Sequence, residues 1–245
     1  MSTVPTHAIV IGGSIAGMLA ARVLTNHFDK VTIVEKDTIP ENPDMRPGVP
    51  QSLHVHVLLT KGQQILEKLF PGIQQELANK GTPTIHWTRD CPFVTPSGLA
   101  PRVTSDLITN PSSRNLLEKI IRQRLLKDRK VEFLLASQAI CLLSNPDNTT
   151  VIGIQVSKKS EASNFAYAHN HEDDNRKINI NIKADLVVDA SGRNSQAAKW
   201  LKIMGYNPPQ QTVINSFLGY ASRWYQLPGD KTLGGRHTPC KPCNV

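Results

Sequence analysis

The chain has 245 residues, 39% hydrophobic and 20% charged, with 28 Lys and Arg against 20 Asp and Glu, a formal net charge of +8. That length buries a core in one domain, or in one domain plus part of another. The aromatic share is 5% and no Lys/Arg block is interleaved with aromatics, which argues against nucleic acid as a partner. The positive surplus fits an anionic ligand or a solvated surface.

Cys91, Cys141, Cys240 and Cys243 make no disulfide framework, which points to a reducing, cytoplasmic setting. The apolar stretch 8–24 is too short to span a bilayer, carries Arg22 and is interrupted by three glycines. No later stretch is long and apolar enough, so no stable membrane insertion is expected.

In chain order, His7–Ile11 is a short apolar, β-branched run of the kind found in buried parallel strands. Glycines follow at once, and residues 16–27 have helical composition. Residues 31–35, VTIVE, form a second apolar strand that ends in an acid. Strand, glycine turn, helix and strand make one βαβ unit. Residues 36–52 are rich in Pro and polar residues and read as a loop. Residues 59–70 read as a helix stopped by Pro71-Gly72, and 73–81 as a second helix stopped by Gly81. Residues 82–108 suggest small strands.

The stretch 110–128 begins with capping-type Asn and Ser and carries a Leu/Ile stripe at helical spacing. VEFLL (131–135), AICLL (139–143) and VIGIQV (151–156) are strand-like. Residues 160–177 read as an exposed hairpin loop. ADLVVDASG (184–192) again runs an apolar strand into a glycine. There is no internal repeat.

The N-terminal turn, Gly12-Gly13-Ser14-Ile15-Ala16-Gly17, has the spacing of a phosphate cradle. A first glycine permits the tight turn, a second lets a pyrophosphate approach the backbone, and a third lets helix and strand pack closely. Gly12 and Gly17 hold the first and third places. Ser14 holds the second, where its small side chain narrows the approach and its hydroxyl can donate to a phosphate oxygen. A carboxylate about twenty residues on should accept from a ribose. Glu35, eighteen residues after Gly17, ends the second strand. The glycines alone leave the identity of the dinucleotide open.

Three further stretches carry a resemblance. MRPGVPQSLHVHVLLTKGQQILEKLFPG (45–72), SSRNLLEKIIRQRL (112–125) and ADLVVDASGRNSQAAKWL (184–201) resemble, in order, segments of bacterial and fungal FAD-dependent oxidoreductases of the aromatic-hydroxylase, or flavoprotein monooxygenase, type. The resemblance runs from Ile9 to about Tyr225. It implies that Gly12, Gly13, Ser14, Ile15, Ala16 and Gly17 cradle the FAD pyrophosphate and that Glu35, with Lys36 beside it, holds the adenosine ribose. It implies that Arg46 lies in a loop over the cofactor, that Arg114 reaches it from a helix, and that Ala139 meets the adenine through its backbone. Gln51, His54, Asp189 and Gly192 complete the implied cofactor-binding set. Arg114 also has a plainer reading, as a solvated charge at a helix start. Its place in the first turn, where a cation opposes the helix dipole, weighs against that reading. The period-two spacing of His54 and His56 suits two side chains facing one way, beside the flavin or as structural hydrogen-bonders.

No residue stands out as a catalytic acid, base or nucleophile, as suits chemistry carried by a cofactor. The resemblance implies FAD, NAD(P)H as electron donor, and a small apolar or aromatic substrate. In the family the second conserved stretch usually reads Asp-Gly with a Ser three further on. Here Gly192 and Ser195 keep their places, Ser191 stands where that Asp belongs, and Asp189 lies two before it. The family's later Gly-Asp motif has no match. Cys240-x-x-Cys243 with His237 lacks the second pair of ligands a structural zinc site needs, so no metal is expected.

The expected fold is α/β: an FAD/NAD(P)-binding Rossmann-like domain with a parallel sheet plus a small β-meander over 1–205, to whose neighbouring substrate domain 82–110 contributes. An incomplete β-rich substrate domain starts at 206–230, and 231–245 is an irregular tail. The chain is then expected to be the N-terminal part of a longer flavoenzyme, with weak FAD retention, poor solubility and an unpaired strand at 212–226. The expected function is that of an FAD-binding oxidoreductase of monooxygenase type. The alternatives are a non-catalytic nucleotide-binding fragment, or a related reductase or halogenase. The absence of a Trp-x-Trp of the tryptophan-halogenase kind counts against the last.

Overall fold

The computed structural model describes residues 4–39, 48–54, 56–159 and 177–223. In chain order its elements are β1 (His7–Ile11), α1 (Ile15–Leu24), β2 (Lys30–Val34), a 3-10 turn (Pro50–Leu53), α2 (Thr60–Leu69), α3 (Ile73–Asn79), β3 (Ile85–His86) and α4 (Trp87–Asp90). There follow β4 (Val94–Thr95), β5 (Gly98–Leu99), β6 (Ile108–Thr109), α5 (Arg114–Leu125), β7 (Val131–Leu134), β8 (Ser137–Ser144), β9 (Val151–Lys159), β10 (Lys177–Lys183), β11 (Leu186–Asp189), a second 3-10 turn (Gly192–Asn194) and α6 (Ala197–Ile203). The chain forms two compact units, one of residues 1–42, 46–49 and 121–214, the other of 43–45, 50–120 and 215–245.

The first unit is built on a four-stranded parallel sheet in the order β11-β1-β2-β7. Its strands read as near-continuous apolar runs because both faces are covered. One face carries Ala8, Val10, Val31 and Ile33, all fully buried, and α1 packs against β1, β2 and β11. The other face carries Ile9, Ile11, Val34 and Leu134. These pack with Ala139, Ile154, Val156 and Ile182 of a three-stranded antiparallel meander, β10-β9-β8, and with Trp200 of α6. A parallel sheet and a small meander are both as the sequence led us to expect, but the third strand of the meander, β10, is not among the strands read from the sequence.

Two polar ties hold the lower end of this sheet. His7 donates from Nδ1 to the Lys183 carbonyl (2.8 Å), and its Nε2 lies 2.8 Å from Thr32 Oγ1. Thr32 Oγ1 in turn donates to Glu132 (2.7 Å), which also pairs with Lys30 at 2.7 Å. Burial pushes the Glu132 carboxyl up, and the hydrogen bonds from Lys30 and Thr32 outweigh it, so the group titrates below the usual carboxylate range. Helix α1 stops at Leu24 rather than at residue 27. The Thr25 hydroxyl donates back to the Arg22 carbonyl, and Lys130 Nζ takes the carbonyls of Thr25 (2.8 Å) and Phe28 (3.1 Å). A cation on the last carbonyls of a helix satisfies orphan acceptors and the dipole together.

In the second unit α2 packs on α3 and on β6. The Glu67 carboxylate accepts from the backbone N–H groups of Gly72 and Gln74 where α3 begins. Gly72 has φ +81°, which ends the first helix cleanly. Residues 82–108 do contain small strands: β3 pairs with β6 and β4 with β5. They also contain α4, one turn that the composition did not suggest; it forms because Asp90 accepts from the His86 N–H at 2.9 Å. The buried side chains of Gln63 and Asn110 satisfy each other: Gln63 Nε2 donates to Asn110 Oδ1 (3.1 Å) and the Asn110 N–H donates to Gln63 Oε1 (2.8 Å).

Residues 206–223 form no helix or strand, so the strand expected over 212–226 is absent within the described residues; 224–226 lie outside them. A strand needs a hydrogen-bonded neighbour, and the described strands pair elsewhere. The segment 160–176 and the whole 231–245 tail also fall outside the described residues.

Candidate nucleotide site

At the carboxyl end of β1 the chain turns through Gly12, whose φ is +104°. Its N–H donates to the Val34 carbonyl at 2.8 Å, closing the turn against the adjacent strand. A Cβ at this position would lie 2.6 Å from the Ala190 carbonyl oxygen, so two separate turns meet here too closely for a side chain. At Gly17 a Cβ would lie 1.8 Å from the Gly12 carbonyl oxygen and 3.3 Å from Val10 Cγ1. Gly12 and Gly17 therefore do the mechanical work of a first and third glycine. Ser14 takes the extended N-cap position of α1 (φ −87°, ψ −174°), with Ile15 and Ala16 in the first turn of the helix.

Glu35, 5% exposed, follows β2 directly. Its carboxylate accepts from the Gly13 N–H at 2.7 Å and from the Asp37 N–H at 3.0 Å. One amide comes from the glycine turn and one from Asp37, two residues further along the chain, so the carboxylate is aimed by backbone on two sides. Asp37 reaches further along the chain: its carboxylate accepts from the Gly48 N–H at 2.8 Å.

The second turn follows β11. Asp189 accepts from the N–H (2.9 Å) and hydroxyl of Ser191 and from the hydroxyl of Ser195 (2.6 Å). Burial pushes the Asp189 carboxyl up, and these donors outweigh it, holding it below the usual carboxylate range. Its carboxylate is thus turned into its own loop, and Ala190 and Ser191 form the wall beside it. Gly192, at φ +72°, opens the 3-10 turn that follows.

These parts surround one cavity of about 900 Å³, within the usual size of a small-molecule pocket. Gly12, Ser14, Glu35, Lys36 and Ala139 line it, all of them singled out in the sequence. Gly48, Val49, Gln138, Ser157, Asn179 and Trp200 line it too and carried no sequence signal, because long-range folding alone brings them there. Trp200 is 6% exposed and supplies an aromatic wall.

Gln51, His54 and Arg114 belong to the second unit. His54 Nδ1 lies 2.9 Å from Ser222 Oγ, whereas His56 Nδ1 donates to the His54 carbonyl at 2.7 Å, so the two rings have different partners. Arg114 pairs through Nε with Glu118 one turn on, at 3.0 Å, both side chains largely buried. The solvated-charge reading of Arg114 does not hold. Arg46 lies outside the described residues. Among the described residues no group of three or more His, Cys, Asp or Glu could hold a metal ion, and no helix is long and apolar enough to cross a membrane.

The fold of this chain is similar to that of solved FAD-dependent halogenases and monooxygenases. It is similar to p-nitrophenol 4-monooxygenase PnpA from Pseudomonas putida DLL-E4 (TM-score 0.53, 13% identity, 80% of this chain and 43% of that one). It is similar also to the myxobacterial chondrochloren halogenase CndH, an FAD-dependent halogenase (TM-score 0.52, 16% identity, 78% of this chain and 39% of that one). In sequence it is 31% identical over 230 residues to Protein Rv3254 of Mycobacterium tuberculosis (strain ATCC 25618 / H37Rv), across 91% of this chain and 45% of that protein. The chain thus spans under half the length of these relatives. No family model matches it.

Proposed function

We propose that this chain binds FAD, with the pyrophosphate at Gly12–Ser14 and the adenosine ribose at Glu35, and provides the flavin-binding part of a monooxygenase-type oxidoreductase. The observation that carries the reading is the convergence of Gly12, Ser14, Glu35 and Ala139 on one cavity. The residues present suit the group. The backbone at Gly12 takes a conformation that side chains disfavour, as close approach of a phosphate needs. Ser14, the N-cap of α1, lines the same cavity, and a helix N-terminus favours a phosphate. Glu35 is held ready by two amides and is the natural acceptor for ribose hydroxyls.

FAD supplies the redox chemistry when bound. The chain's own residues bind and orient it, and the apolar wall of Ile11, Val34 and Trp200 excludes water from part of the cavity. We further assign NAD(P)H as electron donor, a small apolar or aromatic molecule as substrate, and the cytoplasm as the setting. Titration of the purified chain with FAD, read by quenching of flavin fluorescence, tests the reading. Saturable one-to-one binding that ADP displaces and FMN does not supports it. Absence of saturable binding overturns it.

A further inference from the structure

A second polar feature of the cavity lies on the meander. In an antiparallel sheet, directly paired residues share a face. Gln138 pairs with Ser157, and Ser157 pairs with Asn179, so the three stand in one row across β8, β9 and β10. Such a row spans about 10 Å. The next row on the same face is Gln155 paired with Asn181, and it is closed by its own hydrogen bond, Gln155 Nε2 to Asn181 Oδ1 at 2.9 Å. The row of Gln138, Ser157 and Asn179 makes no side-chain hydrogen bond among the described residues, and all three residues line the cavity. One row is internally satisfied and outside the cavity; its neighbour is open and at the cavity wall.

The row's position says what it would meet. The Ser137 N–H donates to the Glu35 carbonyl at 2.9 Å, so β8 starts beside the strand-end acid. On the proposed reading, with phosphates at the glycine turn and the adenosine ribose at Glu35, the base extends past Ser137 toward residue 138. Carboxamides donate and accept at once, and their bidentate partner among purines is the adenine N6/N7 edge. A hypoxanthine ring, which carries a carbonyl in place of that amino group, presents two acceptors there and loses one of the two bonds.

We infer that the row Gln138–Ser157–Asn179 is an adenine-selecting element, reading the base edge by side chain beside the Ala139 backbone. The inference rests on the dinucleotide reading above. The test uses the whole chain and two probes that differ only at C6 of the base, ADP and IDP, each measured by calorimetric titration. Wild type should prefer ADP about tenfold. Gln138→Ala combined with Asn179→Ala should bring the two affinities within about twofold of each other, while Gln155→Ala, in the closed row, should leave the preference intact. The melting temperature of each variant is measured alongside. Equal affinities in wild type, or a preference unchanged in the double variant, overturn the inference. So does an equal loss for both nucleotides that follows a lowered melting temperature. Binding of neither ADP nor FAD by wild type defeats the dinucleotide reading itself, a separate and recognisable outcome.

Discussion

The space between Gly17 and Gly12 has no room for one more carbon: a Cβ on Gly17 would sit 1.8 Å from the Gly12 carbonyl oxygen. Backbone lies on both sides of that contact, so neither partner can swing away. Gly17→Ala is expected to destabilise the chain by about 3 kcal/mol, the upper range for overpacking. Gly81→Ala, where a Cβ meets nothing within 4 Å and only a left-handed φ of +86° opposes it, should cost about 1 kcal/mol. Urea unfolding of the two variants checks the contrast.

Glu35 has a backbone partner on each carboxylate oxygen. Glu35→Gln keeps the size but turns an amino group toward one of those two N–H donors. A buried donor left facing a donor costs about 1–3 kcal/mol. Stability should fall by that amount, and FAD affinity should fall about tenfold. Denaturant midpoints and a binding titration on the same sample read both.

The pH dependence follows from Asp189. Its folded-state pKa is depressed by Ser191 and Ser195, so its contribution is fully present above the ordinary carboxylate pKa and is lost as pH falls through the lower folded value. Stability should therefore decline from roughly pH 5 downward. In Asp189→Asn the chain should be less stable at neutral pH and its acid-side slope shallower. Denaturant midpoints across that range, wild type against variant, give the comparison.

Gln63 and Asn110 test a different physics. Asn110→Leu leaves Gln63 Nε2 without its acceptor, and Gln63→Leu leaves Asn110 Oδ1 and the Asn110 backbone N–H without partners, at about 2 kcal/mol each. Their interaction is direct, so the double variant should lose clearly less than the sum. A double-mutant cycle by chemical denaturation measures the difference.

The parts of this fold legible in the sequence are those written in contiguous residues. β1, the glycine turn, α1 and β2 lie within thirty residues, and each announces itself by composition. The α2–α3 stop at Pro71-Gly72 and the stripe of α5 are equally local. β10 was missed although KININIK alternates cleanly, because it adjoins a long polar stretch whose end the composition does not mark. α4 was missed because one turn held by Asp90 has no periodicity to read. The site divides in the same way. Gly12, Ser14 and Glu35 carried a pattern, whereas Gly48, Val49 and Asn179 reach the cavity only through the Asp37–Gly48 tie and the pairing of β9 with β10. Asp189 entered the cofactor-binding set through the resemblance of its stretch; in the fold its carboxylate accepts from Ser191 and Ser195.

The central claim is that a dinucleotide sits on the turn between β1 and α1. Backbone amide NMR of the isotopically labelled chain during an FAD titration tests it most directly. The amides of Gly13, Ser14 and Ile15 should shift progressively and saturate together with those of Lys36 and Ala139. Saturation of FAD binding with these amides unmoved would contradict the account.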